Sequence, residues 1–177
     1  IKRSLKIIPD PDRRCCAIKG EGWRGRADYE LVKRVGIEGL TVRLVEIMNQ
    51  GDVLKNGTKS CVSRVILGDA NVVIKGYRHL GLLHSLRHTL QGSRAKRSWF
   101  MADRLCRLAI PTPKPLAYLD EYQGVLLWRS FFIYEYVSGP GLHAVLIDPA
   151  VPEERKRRLI DQVVGMLKRL SEWGISH

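Results

Sequence analysis

The sequence predicts an α+β fold built on an antiparallel sheet of about five strands. Three short strand-like segments follow one another, at residues 52–57, 61–67 and 71–77, and the third is the richest in β-branched residues for its apolar part, Val72-Val-Ile74. The dipeptides Asn56-Gly57 and Gly68-Asp69 fall between them, and such dipeptides favour the tight turns of β-hairpins. We therefore expect the three segments to form a meander, which begins the sheet.

One helix and two further strand regions complete the predicted lobe. Ser93 is a good N-cap, and Ala95, Trp99 and Ala102 recur at helical spacing. Proline at 111 and 113 ends this helix near residue 108, because proline cannot continue a helix. Other expected elements are a basic linker helix at 80–90, a fourth strand region covering 115–119 and 124–128, and a fifth at 130–136.

The two ends of the chain have a different pattern. Residues 1–27 are basic and contain several prolines and glycines, so we expect them to be irregular, and one amphipathic helix is predicted within 28–49. Strands cease after Ser138-Gly-Pro-Gly141, and helices are predicted at 142–147 and from Pro152 to about Trp173, the second with a buried apolar stripe. The predicted divisions are an extension (1–49), a sheet-based lobe (50–137) and the start of a helical part (138–177).

The net charge of +12 favours anionic partners such as phosphates, acidic lipids or nucleic acid. The stretch from Lys75 to Lys114, both included, contains nine Lys or Arg residues and a single acidic residue, Asp103. A solvated basic surface is the simpler interpretation. Nucleic acid is not expected because no nucleic-acid-binding motif accompanies the charge. No signal peptide or membrane-spanning run is visible, and the four cysteines lack metal-ligand spacing, which favours a cytoplasmic protein with reduced thiols.

Lys75 is the strongest candidate for a catalytic and phosphate-binding residue. It ends the apolar run Val72-Val-Ile-Lys75, and a rigid strand that presents one lysine is suited to neutralising an anion. The alternative is a lysine on an exposed strand face.

The turn between the first two strand segments, 52–57 and 61–67, is the candidate cover for bound phosphates. Its backbone N–H groups and hydroxyls would contact the anion, although it carries one glycine and an ordinary hairpin turn would look the same. The residues are Asn56, Gly57, Thr58, Lys59 and Ser60.

The segment Ile133-Tyr-Glu-Tyr-Val137 is the candidate adenine-binding edge. A buried strand that breaks into a glycine-rich linker exposes backbone groups, and we expect the C=O of Glu135 and the N–H of Val137 to face the base. The alternative is a strand that simply ends in a loop.

These motifs together resemble the lipopolysaccharide core kinase family over about residues 50–177. The resemblance rests on the order of the elements and on four segments: Val72-Val-Ile-Lys75, Ser93-Arg-Ala-Lys-Arg-Ser-Trp99, Ile110-Pro-Thr-Pro-Lys-Pro-Leu-Ala117 and Ile133-Tyr-Glu-Tyr-Val-Ser-Gly139. It implies a protein-kinase-like N-lobe with an αC-type helix, followed by the first C-lobe helices. It also implies ATP and Mg²⁺ as cofactors, and phosphorylation of heptose or 3-deoxy-manno-octulosonic acid in the inner core.

Two departures from the kinase pattern qualify these expectations. Protein kinases pair the strand lysine with a helix glutamate, whereas Ser98 and Trp99 occupy that region here. Asp103 is five positions beyond Ser98, so either it pairs with Lys75 through a different helix rotation or the lysine is held in another way. The resemblance also makes Gly174-Ile-Ser-His177 the start of the catalytic loop. The catalytic aspartate and the Mg²⁺ ligands are then expected beyond His177, and this 177-residue chain is expected to have little kinase activity.

Two other functions remain open on the sequence. One is a non-catalytic pseudokinase or nucleotide- or anion-binding module, which the missing glutamate favours. The other is an aminoglycoside- or choline-type kinase, which would need an acidic acceptor pocket. In the preferred interpretation, the basic residues of 78–107 contact an anionic sugar or lipopolysaccharide acceptor and the inner face of the inner membrane.

Overall fold

The computed structural model describes residues 5–11, 14–77 and 92–175 of the 177-residue chain. The chain divides into two compact units, Ile1–Tyr136 and Val137–His177. The described part of the first unit contains one antiparallel sheet and three helices, and that of the second contains two helices. The α+β class is therefore confirmed.

Within the described residues, the sheet has eight strands rather than about five. In spatial order they are β1, β2, β3, β7, β8, β6, β5 and β4, and all neighbours are antiparallel. The strands are β1 (Lys6–Pro9), β2 (Cys15–Gly20), β3 (Trp23–Asp28), β4 (Asp52–Asn56), β5 (Ser60–Leu67), β6 (Ala70–Tyr77), β7 (Pro115–Gln123) and β8 (Leu126–Glu135). The predicted meander after residue 50 corresponds to β4, β5 and β6.

The helices that accompany this sheet in the described ranges are α1 (Tyr29–Gly39), α2 (Leu44–Gln50) and α3 (Arg94–Arg107). The predicted cap of α3 is confirmed, because the Ser93 hydroxyl accepts a hydrogen bond from the N–H of Lys96 at 2.9 Å. Asp28 caps α1 in the same way, through the N–H groups of Glu30 and Leu31. After α3, Ala109 has a positive φ, and Pro111 and Pro113 follow before β7 begins.

The two faces of the sheet pack against different helices. One face packs against α1 and α2 and forms the larger core, which includes Ile18, Leu44, Val72, Ile74 and Ile133. The other face packs against α3 and forms a smaller cluster of Ala95, Trp99, Tyr118 and Phe132. Because successive strand residues point to opposite sides, Lys75 lies on the α3 face.

The prediction that residues 1–27 are irregular is wrong. Buried Cys16, Ile18, Trp23 and Ala27 alternate with less buried neighbours along β2 and β3, which is a strand pattern with period two. The basic residues of these two strands, Lys19, Arg24 and Arg26, lie on the other face and hid that alternation. The predicted single helix of 28–49 is also interrupted twice: Gly36, with a φ of +74°, kinks α1, and a turn at residues 40–43 separates α1 from α2.

The predicted fourth and fifth strand regions need a new boundary. The chain turns at Gly124, which has a φ of +62°, so that residues 126–128 begin β8 instead of continuing β7. Turns at glycine with positive φ commonly separate hairpin strands. The predicted basic linker helix at 80–90 lies outside the described residues.

The second unit contains α4 (Leu142–Ile147) and α5 (Glu153–Glu172), close to the predicted bounds. Pro152 is the N-cap residue of α5 rather than its first helical residue. The predicted buried stripe is not found: no described residue of α5 is buried, and Ile160, Val164 and Leu167 are exposed.

Candidate functional site

Lys75 lies in a row of side chains that crosses the sheet on the α3 face. The register aligns Lys75 with Val62 of β5 on one side and with Phe132 of β8 on the other. The row continues through Tyr118 of β7 to Arg26 of β3. Residues aligned in this way share one face of a sheet, so the register itself determines which side chains accompany the lysine.

The Lys75 side chain is partly buried and has an aromatic neighbour. Its Nζ atom lies 5.4 Å from the centroid of the Tyr77 ring, which is within the range of a cation–π contact. Within the described residues, no carboxylate forms an ion pair with Lys75. The side-chain nitrogen therefore lies beside an aromatic ring and has no carboxylate partner within the described residues.

Helix α3 is attached to this part of the sheet by hydroxyl groups rather than by a lysine–glutamate pair. The Tyr77 hydroxyl lies 3.1 Å from that of Ser98, in the region where a protein kinase carries its glutamate. Asp103, whose role was open on the sequence, binds Arg107 at 2.8 Å instead. Helix α3 therefore contacts β6 through a pair of hydroxyl groups, and Asp103 does not pair with Lys75.

The candidate phosphate-covering turn lies next to the C-terminal end of β6, the strand that contains Lys75. Asn56 ends β4 and Ser60 begins β5, and the N–H of Gly57 donates to the C=O of Ser60 at 3.0 Å. Thr58 and Lys59 are exposed at the tip. Since Ser60 aligns with Tyr77, the turn follows the C-terminal end of β6.

The candidate adenine-binding segment lies at the opposite end of the same strand. Glu135 ends β8 and aligns with Val72 near the beginning of β6. The N–H of Tyr136 donates to the C=O of Asn71 at 3.1 Å and so prolongs the pairing by one residue. Val137, which is 64% exposed, belongs to the second unit.

The three candidate features are therefore arranged in order along β6. Glu135 aligns with Val72, which is three residues before Lys75 on β6. This separation along the strand corresponds to about 10 Å at the usual rise per strand residue. The turn follows two residues after Lys75. An elongated ligand lying along this strand would meet Glu135 first, Lys75 next and the turn last.

The buried carboxyl group of Asp120 was not predicted from the sequence. The Asp120 carboxyl on β7 is only 3% exposed, and its Oδ1 atom has no hydrogen-bond partner within the described part of the chain. Burial raises its pKa to about 6, while a hydrogen bond from Ser93 and the charge of Lys96 act in the opposite direction. The alternation of β7 would have placed Asp120 on the α3 face, but only the three-dimensional packing shows that the helix covers it.

Metal binding and membrane insertion have no support among the described residues. Within 5–11, 14–77 and 92–175, no group of three or more His, Cys, Asp or Glu side chains is arranged to hold a metal ion. The residues present thus do not form a Mg²⁺ site. None of the helices in those ranges is sufficiently long and apolar to cross a bilayer.

The comparison with family models gave one decisive match. The model of the lipopolysaccharide kinase (Kdo/WaaP) family matches residues 52–177, which is most of the chain. The chain belongs to the lipopolysaccharide kinase (Kdo/WaaP) family. Neither the search of curated proteins nor the search of solved structures found a match.

Membership in the Kdo/WaaP family confirms the resemblance found in the sequence and shows that the chain belongs to a kinase family. The matched region begins at β4, so it contains Lys75, the turn before β5 and the segment that ends β8. Strands β1, β2 and β3 precede it, although they are part of the same sheet.

Proposed function

We propose that the Lys75 face of the sheet binds ATP and that the protein is a kinase acting on a sugar of the lipopolysaccharide inner core. The observation that carries the proposal is the position of Lys75 between Val62 and Phe132, partly buried and without a carboxylate partner among the described residues. Kinases use a strand lysine of this kind to hold the α- and β-phosphates of ATP. Lys75 is thus the proposed phosphate-binding catalytic residue.

The proposed nucleotide lies lengthwise along β6. Its base approaches the C=O of Glu135 and the N–H of Val137, and Val73, two residues before Lys75 on the same face, offers an apolar contact. The phosphates approach Lys75 and the backbone of the turn formed by Asn56, Gly57, Thr58, Lys59 and Ser60. The support is the order of these features along one strand.

Phosphate transfer needs groups that the described residues do not supply. Kinases use a base that orients the acceptor hydroxyl and metal ions that neutralise the phosphates. The proposed contribution of Lys75 is to bind and orient the nucleotide.

Nucleotide binding by Lys75 can be tested directly. The midpoint of thermal unfolding should rise with ATP or ADP, and Lys75→Met should weaken nucleotide binding about 10-fold to 100-fold, as expected for loss of one charged hydrogen bond. Lys19→Met is the matched control, because it removes the same charge from an exposed strand position. Equal nucleotide affinity in the wild type and Lys75→Met would contradict the proposal.

A non-catalytic nucleotide-binding module is the second candidate. The replacement of the helix glutamate by the Ser98–Tyr77 hydroxyl pair favours it, because the lysine then lacks its usual ionic partner. Both candidates predict nucleotide binding. Only the kinase predicts transfer of the γ-phosphate to a heptose or 3-deoxy-manno-octulosonic acid acceptor, which radiolabelled ATP would detect in a form of the protein that includes the catalytic aspartate expected beyond His177.

We also propose peripheral contact with the inner face of the inner membrane, where an anionic lipopolysaccharide precursor would be presented. Exposed Arg97, Phe100, Met101 and Arg104 support it, because they place cations and apolar side chains together on the solvent side of α3. Of the 78–107 stretch suggested by the sequence, residues 78–91 lie outside the described ranges.

A further inference from the structure

Three residues form a closed set of contacts at the end of β8, and we call them the Arg64 cluster: Arg64, Asn71 and Tyr136. The N–H of Tyr136 donates to the C=O of Asn71 at 3.1 Å, and the Nε–H of Arg64 donates to the side-chain Oδ1 of Asn71 at 3.0 Å. The Arg64 guanidinium also lies 4.2 Å from the centroid of the Tyr136 ring, which is within cation–π range. Each residue of the cluster thus contacts the other two.

The Arg64 cluster lies on the Lys75 face of the sheet, at the end of β6 that is away from the phosphate-covering turn. Arg64 is two residues after Val62, which aligns with Lys75, so the Arg64 and Lys75 side chains point to the same side. Asn71 is four residues before Lys75, about 13 Å at the usual rise per strand residue. Arg64 therefore contacts the candidate adenine-binding segment and is distant from the proposed phosphate position.

Arg64 has no ionic partner among the described residues. Asp52 of the edge strand β4 aligns with Arg64, but no ion pair joins the two side chains. The Nε–H of the guanidinium is used by Asn71 and its flat face by Tyr136. The position of this side chain is thus set by the cluster itself.

The hydrogen bond of Tyr136 orients the carbonyl group that the proposed base would meet. The N–H of Tyr136 and the C=O of Glu135 belong to one planar peptide group, and in a trans peptide these two bonds point in opposite directions. Because the N–H points to β6, the C=O of Glu135 points away from β6. Any contact that keeps Tyr136 bonded to Asn71 therefore also keeps this carbonyl in one direction.

We propose that Arg64 is a positioning residue that determines the base specificity of the nucleotide site. By holding Asn71 and Tyr136 together, it fixes the peptide group between Glu135 and Tyr136. The C=O of Glu135 is then preorganised to accept a hydrogen bond from the exocyclic amino group of adenine. This role rests on the nucleotide site proposed above.

Hydrogen exchange tests the cluster without any nucleotide. Arg64→Ala should raise the exchange rate of the Tyr136 amide in the free protein at least about 5-fold, as expected when a hydrogen bond and a cation–π contact are lost. The amide of Ile110 is the internal reference, because it also lies at the end of an element and donates to the C=O of Leu105 at 3.0 Å. Its exchange rate should stay the same.

The comparison of ATP with ITP tests what the cluster does for the base. Adenine carries an amino group that donates, whereas the base of ITP has an oxygen atom at that position. The wild type should therefore bind ATP at least about 5-fold more tightly than ITP, which is the net value of one hydrogen bond. Arg64→Ala should reduce this preference at least about 3-fold, because a mobile C=O is no longer preorganised for the amino group.

Matched variants separate the cluster from charge and from bulk. Arg24→Ala removes the same charge from another strand arginine that lies over a tyrosine ring, that of Tyr122 at 4.8 Å, and it should leave the preference for ATP unchanged. Inorganic triphosphate has no base, so Arg64→Ala and Arg24→Ala should bind it equally. Tyr136→Phe keeps the ring and should behave as the wild type, whereas Tyr136→Leu should reproduce both effects of Arg64→Ala.

The possible failures distinguish this role from the nucleotide site itself. The role of Arg64 would be overturned if Arg64→Ala left the Tyr136 amide unchanged or accelerated the Ile110 amide equally. It would also be overturned if a wild type whose ATP binding is weakened by Lys75→Met showed no preference for ATP, or kept its preference in Arg64→Ala. A wild type that binds neither ATP nor ITP would overturn the nucleotide site together with the role of Arg64.

Discussion

The hydroxyl groups of Tyr77 and Ser98 lie 3.1 Å apart and join the end of β6 to helix α3. The same Tyr77 ring lies 5.4 Å from Nζ of Lys75. One tyrosine thus contacts both the helix and the lysine that we propose to bind phosphate.

Removing the hydroxyl of Tyr77 should loosen the helix without disturbing the lysine. Tyr77→Phe keeps the ring beneath Lys75, and Ser98→Ala removes the opposite hydroxyl. We expect each to lower the free energy of unfolding by about 1 kcal/mol, the usual contribution of one hydrogen bond. Urea unfolding followed by circular dichroism measures the effect. In the double variant the losses should not add, because both remove the same interaction; full additivity would show that the hydroxyls do not interact.

Asp120 should make the stability of the fold depend on pH. Burial raises the pKa of its carboxyl from 3.8 to about 6, so the folded protein binds this proton more tightly than the unfolded chain. The stability gained from protonation is complete below about pH 4 and is lost as the pH rises through 6. Asp120→Asn remains neutral and can still accept from Ser93, so its advantage over the wild type should grow by about 1–3 kcal/mol between pH 4 and pH 8.

The comparison of Asp120→Asn with the wild type is made by urea unfolding at several pH values. Other titrating groups are the same in both proteins, and their contributions cancel in the difference. A difference that stays constant from pH 4 to pH 8 would show that the Asp120 carboxyl does not titrate as its burial requires.

The close packing of β3 against β7 should make Gly25 intolerant of a side chain. A Cβ atom at this position would lie 2.2 Å from the carbonyl oxygen of Tyr118, which belongs to the backbone of the neighbouring strand and cannot move aside locally. We expect Gly25→Ala to lower the free energy of unfolding by about 2–3 kcal/mol, as overpacking typically does. Gly57→Ala is the control, because its Cβ would meet no atom closer than 3.5 Å. Similar unfolding midpoints for the two variants would contradict the pairing of β3 with β7.

The exposed side of α3 should bind anionic membranes. Arg97 and Arg104 flank exposed Phe100 and Met101, and each basic residue near an anionic surface contributes about 1 kcal/mol. We expect the double variant Arg97→Ala/Arg104→Ala to bind phosphatidylglycerol vesicles at least about 10-fold more weakly in sedimentation assays. Lys19→Ala/Lys33→Ala removes the same charge elsewhere and should have a much smaller effect. Equal losses in the two double variants would assign the binding to net charge alone.

Local signals in the sequence were sufficient for much of the fold. The turn at Gly57, the cap at Ser93 and the end of α3 before Pro111 each depend on a few neighbouring residues, and the structure has them where they were predicted. The strand that contains Lys75 was also evident, because a run of β-branched residues bounded by turn signals favours a strand over a helix. The family match, over residues 52–177, covers all of these elements.

Other features depend on pairing between distant segments. Nothing near Arg26 in the sequence indicates that it lies in the same row as Lys75, since three strand pairings must be known first. The contact of Tyr77 with Ser98 likewise depends on how α3 packs. Strands β2 and β3 were missed because their exposed basic residues resemble those of an irregular segment, and only the partner strand β7 shows which face is buried.

The pairing of β3 with β7 also limits how the chain can be shortened. The family match begins at residue 52, whereas the sheet begins at Lys6. A protein cut to the matched region would leave the backbone N–H and C=O groups of β7 without their neighbours, and an unpaired edge of this kind attracts strands from other molecules. Such a truncated protein would self-associate into larger particles. The smallest soluble fragment of this polypeptide is therefore longer than the region that matches the family.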